Sequence, residues 1–336
     1  MGRSHKERGI YMRSRAFSAG LAAIALAVGN VQTANAAAQN SSLDGAAVLA
    51  ALDAVPDHYL TIPDSAMRPN VGAPVVQLPD SARDVVTIHG SKSTLSITLP
   101  FGDGARTELG ESLVGFDHDN GSWSVPIAQP DGSVQITTVI EDAFAPIEYR
   151  YEIGLPRGAT VRDDGGLIAL WSATGTFLGG VAPAWALDAN GVSVPTSFRV
   201  EGLSLVQLVD HGATTAYPVV ADPWLGINLF QGLSTSSQSG DIRYNFSRTL
   251  WGASVQSGVA QGGGPAAVAA GITILQTAGW DELRTPWPAI TNKATLRQQY
   301  DCHVVGGFFE GQWNLERFRA NFSNWLPTAP SHKCNW

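Results

Sequence analysis

The sequence predicts an α+β protein of two modules: an antiparallel, β-sandwich-like middle module followed by a small disulfide-closed α+β module. Three observations carry that expectation. Between residues 81 and 224, short alternating apolar runs are separated by Asn/Asp-Gly and Pro-containing turns. Charge is then split: residues 37–224 hold 8 Lys+Arg against 22 Asp+Glu, net −14, whereas residues 225–336 hold 8 against 6, net +2. That last stretch also holds both cysteines and six of the ten tryptophans. Composition sets outer limits. A 336-residue chain with 44% hydrophobic residues is not disordered throughout, and 15% charged residues is too few for a coiled coil. Two cysteines exclude a disulfide-dense scaffold, and a net charge of −8 argues against nucleic acid as the main partner.

Residues 1–36 read as a signal peptide. Arg3, Lys6, Arg8, Arg13 and Arg15 precede the apolar run 16–28, and small residues follow at Ala34, Ala36 and Ala38. That is the basic, apolar, small-x-small layout of a cleaved leader, with cutting expected near Ala36-Ala37 or Ala38-Gln39. The apolar run is short for a span of about 20 residues, and no later run reaches that length, so the expected product is secreted with no membrane span. Residues 37–80 read as a helix and linker, with the helix at 43–54 and Ser42 as its N-cap.

The acidic antiparallel module is expected at 81–224. Strand signals fall at 94–99, 133–137, 147–155, 167–171, 176–181, 196–200 and 203–209, with turns at 130–132, 163–166 and 188–191. Period-two alternation puts one face in a core and the other in water, which accounts for the Thr, Ser and Asp content. His89, His118 and His211 lie singly, and Asp117-His118-Asp119 beside Asn120-Gly121 reads as a polar turn; no metal is assigned. The segments 148–156, 180–188 and 217–224, the last ending Ala221-Asp222-Pro223-Trp224, resemble a β-rich module of exported actinobacterial proteins. The resemblance covers 140–224 and implies presentation of whatever follows, not chemistry.

A linker is expected at 225–240, where Ser234–Gly240 is polar, and a Trp-rich disulfide-closed module at 241–336. Within it, 241–251 reads as strand. Gln261-Gly-Gly-Gly-Pro265 opens an Ala-rich helix to Thr277 with Gly279 at its end. Leu296, Tyr300, His303 and Val304 share one stripe of a helix over 292–303. In an exported chain the default fate of Cys302 and Cys334 is a disulfide; a zinc site from Cys302-His303 and His332-x-Cys334 is the rival. Leu315, Phe318, Phe322 and Trp325 fit a helical stripe, so the aromatics of 308–325 are either core or, as Trp313 with Arg317 and Arg319, a binding surface. His303 and Glu316 are the candidate acid–base pair, with Asp281, Glu282 and Asp301 nearby in sequence. No Gly-x-Ser-x-Gly or His-Glu-x-x-His occurs, and no cofactor is expected.

Residues 279–283, 299–303 and 313–316, with Arg319 and Cys334-Asn335, resemble the actinobacterial family known as domain of unknown function 2599, over residues 240–336. Where that family carries Pro after the Glu and after the Arg, this chain has Arg317 and Ala320. The resemblance brings no activity. The function expected is therefore a non-enzymatic binding or effector module acting at a cell envelope or on another cell. The alternatives are a hydrolase of an envelope polymer or nucleic acid, and a structural envelope protein.

Overall fold

Alternation in the middle of the chain becomes two stacked sheets. The computed structural model describes residues 42–336, apart from 65–67, 92, 111–112, 258–263, 308–310 and 333. The expected leader and its cutting sites lie outside the described residues, as does the start of the Gly-rich run 261–265. The first half of the strands are β1 (Val75–Gln77), β2 (Val85–His89), β3 (Thr94–Thr98), β4 (Ala105–Leu109), β5 (Leu113–Asp117), β6 (Ser122–Ala128), β7 (Val134–Ile140), β8 (Glu148–Gly154), β9 (Thr160–Asp164) and β10 (Leu167–Trp171). They continue with β11 (Phe177–Val181), β12 (Ala186–Leu187), β13 (Thr196–Glu201), β14 (Ser204–Val209), β15 (Val219–Ala221), β16 (Trp224–Gly226), β17 (Phe230–Gln238), β18 (Asp241–Arg248) and β19 (Gln312–Glu316).

One sheet runs β1-β2-β3-β8-β14-β13. The other runs β4-β5-β6-β7-β16-β11-β10-β9, with β15 also on β7 and β12 on β15. Every pairing is antiparallel, and the sheets stack through a shared core that includes Ile88, Ile97, Tyr149, Tyr151, Ile136 and Leu170. The sandwich-like middle is therefore as expected. In β8 the rule is plain: Tyr149, Tyr151 and Ile153 are buried while Glu148, Arg150 and Glu152 are exposed. The outer face is tied by ion pairs of Glu201 with Arg150 and Arg199.

The larger sheet is covered on both sides. Helix α1 (Gly45–Asp53) lays Val48 and Leu52 against Leu109, Trp123, Val125 and Val139 on the face opposite the sandwich core. Consequently β6 and β7 are buried almost throughout, and their burial does not alternate. The sequence signal missed β6, where Pro126 interrupts the alternation that residues 122–125 begin. The N-cap of α1 is Asp44 instead of Ser42: its Oδ1 accepts the Ala47 N–H at 2.9 Å, and a carboxylate there also favours the helix dipole.

In the C-terminal part, the stretch expected as linker is strand. β17 occupies most of 225–240 and forms, with β18 and β19, a three-stranded sheet in the order β17-β18-β19. The expected strand 241–251 stops at Arg248, because α2 (Leu250–Ser257) starts there, capped when Thr249 Oγ1 accepts the Gly252 N–H at 2.8 Å. Helix α3 (Pro265–Ile274) does not end at Gly279. It passes through a π-helical turn (Leu275–Gly279) into α4 (Trp280–Arg284). A Cβ on Gly279 would lie 2.5 Å from the Tyr300 hydroxyl, so the glycine admits that hydroxyl, which donates to the Leu275 carbonyl. Tyr300 comes from α5 (Ala294–Gly306). The expected helical stripe at 315–325 is corrected too: Gln312–Glu316 pairs with β18, and Trp313 and Leu315 alternate inward. Beyond a 3-10 turn (Leu326–Thr328) and the short α6 (Ala329–His332), the tail is closed by Cys302–Cys334, with a Cα separation of 5.4 Å. Both sulfurs are in that bond, so neither is a thiolate ligand. No helix among the described residues is long and apolar enough to cross a membrane.

The sandwich and the C-terminal part share one core. Leu167, Ala169, Ala182 and Trp224 on the larger sheet's outer face pack with Phe230, Trp251, Leu283 and Trp313. Trp251 is fully buried, and its socket is floored by paired glycines. A Cβ on Gly226 would fall 2.4 Å from Trp251 Cγ, and one on Gly180 3.4 Å from its Cζ2. From the turn at 130–132, Asp131 Oδ2 accepts the Trp251 N–H at 3.1 Å, while its Oδ1 accepts from the Ser133 N–H and hydroxyl. Ser133 Oγ in turn accepts the Trp224 indole N–H at 2.8 Å. Gly226→Ala is expected to lower the unfolding free energy by about 2–3 kcal/mol in a urea titration. Gly212→Ala, where a Cβ meets nothing within 4 Å, should change it by no more than about 0.5 kcal/mol. Equal effects would remove the socket from the account.

Candidate functional site

The residues expected to carry chemistry cluster around β19; Trp313, His303 and Glu316 face inward, while Arg317 and Arg319 stay partly exposed. Trp313, expected as a binding contact, is fully buried. The imidazole of His303 stacks on it at 5.4 Å between ring centroids, and His303 Nε2 meets the Asn314 carbonyl at 3.2 Å. The Glu316 carboxylate is paired with Arg319 Nε at 2.6 Å and is itself buried. Its backbone is held on both sides by the Gln299 carboxamide, which donates to the Glu316 carbonyl and accepts its N–H. The acid–base candidates therefore hold separate structural partners in one core. Arg319 also reaches the Trp336 carbonyl, and Arg317 is tied to Asp241 at 3.2 Å. Asp241 stays below the ordinary carboxylate range, chiefly through the Ile242 N–H it accepts, with Arg317 adding to the effect. Asp301 is held by Arg297 at 2.9 Å, and that guanidinium lies over the Trp280 ring.

The Asp117-His118-Asp119 segment is the expected turn. Asp117 Oδ1 accepts the Asp119 N–H, and buried His118 bridges the Asp103 carbonyl and the Ser124 hydroxyl. Burial lowers the His118 pKa. No group of three or more His, Cys, Asp or Glu side chains able to hold a metal converges among the described residues.

A concave surface lined by varied polar groups lies elsewhere, along the seam between the sandwich and the C-terminal helices. One cavity of about 150 Å³ is walled by Trp171 and Phe177 from the sheet and by Thr277 and Asp281 from the helical side. A neighbouring one of about 250 Å³ is walled by Asp131, Gln231, Leu233 and Thr285. Ser91, Asn228 and Glu282 line both, so the two are halves of one cleft. Its walls are held firmly: the Glu282 carboxylate accepts the Leu229 and Phe230 N–H groups at 3.0 and 2.9 Å, and Phe177 stands edge-on to Trp171 at 5.4 Å. Asp281 and Glu282 were visible in the sequence only as possible acids. Trp171 and Phe177 were not singled out because each sits in an ordinary strand signal, and Asn228 because it falls in the expected linker 225–240; the seam exists only once β16 and β17 bring the parts together.

The most perturbed carboxyl group lies in the sandwich and not in the cleft. Asp222 is fully buried; Oδ1 accepts from the Trp185 N–H at 3.0 Å and from Gln207 Nε2 at 3.2 Å, while Oδ2 has no partner. Burial pushes its pKa well above the usual carboxylate value. The folded state thus holds a proton that the unfolded chain releases above about pH 4, so this group's contribution to stability falls as pH rises from there through the folded pKa. Asp222→Asn should lose that dependence: relative to the parent, its melting temperature should improve by roughly 2–4 °C or more between pH 4 and pH 8. A constant offset across that range would place the ionised form in the folded protein.

The chain matches no protein-family model, no curated protein and no solved structure.

Proposed function

We propose that this chain is an exported, non-enzymatic binding protein that engages a polymer of a cell envelope through the seam cleft. The observation that supports this most is the cleft itself, which two aromatic rings, the Asn228 carboxamide and several hydroxyls line, on walls held by hydrogen bonds such as those of Glu282. The leader-like residues 1–36 and the likeness of residues 240–336 to the actinobacterial family agree with an exported role. The hydrolase alternative drew on His303 and Glu316, and their stacking on Trp313 and pairing with Arg319 do not favour it. The +2 charge of residues 225–336, against −14 before them, gives the protein one end that an anionic wall does not repel.

The test is co-sedimentation of the purified chain with isolated, protein-free cell walls. The expected outcome is saturable retention in the pellet with no soluble fragments released from the wall. Protein remaining in the supernatant at all wall concentrations would overturn the binding reading, and fragment release would move it to the hydrolase.

A further inference from the structure

The chemistry of the cleft narrows the ligand, an inference that rests on the binding reading above. Its three carboxylates are already engaged within the protein. Asp281 is paired with Arg284 at 3.0 Å, Glu282 holds the Leu229 and Phe230 amides, and Asp131 holds Ser133 and Trp251. No Lys or Arg is among the described lining residues of either half. Ionic recognition is thus weakly provided for in both signs. The remaining groups are neutral: the hydroxyls of Ser91 and Thr176 and the carboxamide of Asn228, whereas Gln231 is held by the Arg248 carbonyl and Asn70, and the Thr285 hydroxyl donates to the Asp281 carbonyl.

Asn228 stands at the junction of the two halves. Its backbone carbonyl accepts the Thr249 hydroxyl at 2.9 Å, but its carboxamide has no hydrogen-bond partner among the described residues. A carboxamide offers two donors and an acceptor, which suits vicinal hydroxyl or acetamido groups. Beside it, Trp171, one side of which is covered by the Arg162 guanidinium at 5.6 Å, and Phe177, which is backed by Trp251, supply an aromatic wall against which the C–H face of a pyranose can pack. An aromatic wall next to neutral donors and acceptors fits a sugar chain better than an ion or a purely apolar molecule.

We infer that the seam cleft binds a neutral glycan chain, with Asn228 addressing its hydroxyl or acetamido groups and Trp171 and Phe177 packing on a sugar face. The probes are chitohexaose, cellohexaose and maltohexaose, titrated into the full chain by calorimetry, with polyphosphate and oligolysine as charged counterparts. At least one neutral hexasaccharide should bind, with an affinity that changes less than twofold between 50 and 500 mM NaCl. Asn228→Ala should weaken it at least tenfold while leaving the melting temperature unchanged. Trp171→Phe, which keeps an apolar wall, should weaken it less than Trp171→Ala. Binding of polyphosphate or oligolysine alone, binding of none of the sugars, or sugar binding untouched by Asn228→Ala would each overturn the inference. Wall retention that survives Asn228→Ala would leave the broader binding reading standing and reject this one. Hexasaccharide binding without wall retention would do the reverse.

Discussion

The structure depends on the seating of one tryptophan. Trp251, the second residue of α2, lies on bare backbone where Gly180 and Gly226 face each other across the β11–β16 pairing. Any side chain at Gly226 would occupy the space of the indole. Removing an indole of this size from water buries about 150–250 Å², an upper bound of about 4–6 kcal/mol at about 25 cal/mol/Å². The orientation is fixed by polar contacts that burial makes demanding: Asp131 accepts the backbone N–H of Trp251, and Ser133 ties the same turn to the indole of Trp224. A turn of the sandwich thereby supplies a capping carboxylate to a helix more than a hundred residues later in the chain.

Most of the seam follows from that seating. With α2 docked, the separate sheet of β17 and β18 follows directly on strand β16, which ends at Gly226, and α4 can present Glu282 to the Leu229 and Phe230 amides. A second close approach is at Gly165, whose Cβ would lie 2.5 Å from that of Ala266 at the start of α3. The cleft is the space left between the sheet face and the helices pinned to it. Its position is a consequence of packing, and its lining is drawn from both sides.

What was legible in the sequence followed local rules. Strands with one wet face, such as Thr94–Thr98 and Glu148–Gly154, alternate and were visible, and the turns at 130–132 and 188–191 carried their own signals. The disulfide was legible because only one pairing of two cysteines exists within the chain. β6 was missed because Pro126 interrupts its short alternation, whereas β7, equally buried, kept a readable one at 133–137. The spacing of Leu315, Phe318, Phe322 and Trp325 imitated a helix, but the pairing of Trp313 and Leu315 with β18 decided the conformation. The candidate site was legible least. Its residues are scattered from Ser91 to Thr285, and nothing local distinguishes Asn228 from any other loop asparagine. A module boundary drawn from charge also concealed the shared core, because Leu167, Ala169 and Trp224 belong to the acidic segment by composition and to the Trp251 cluster by contact.

If Trp251 joins the two compositionally distinct segments into one cooperative structure, differential scanning calorimetry of the intact, oxidised protein should decide it. The account predicts a single heat-absorption peak whose calorimetric and van't Hoff enthalpies agree. Two resolved peaks, one for the sandwich and one for the disulfide-closed part, would contradict it.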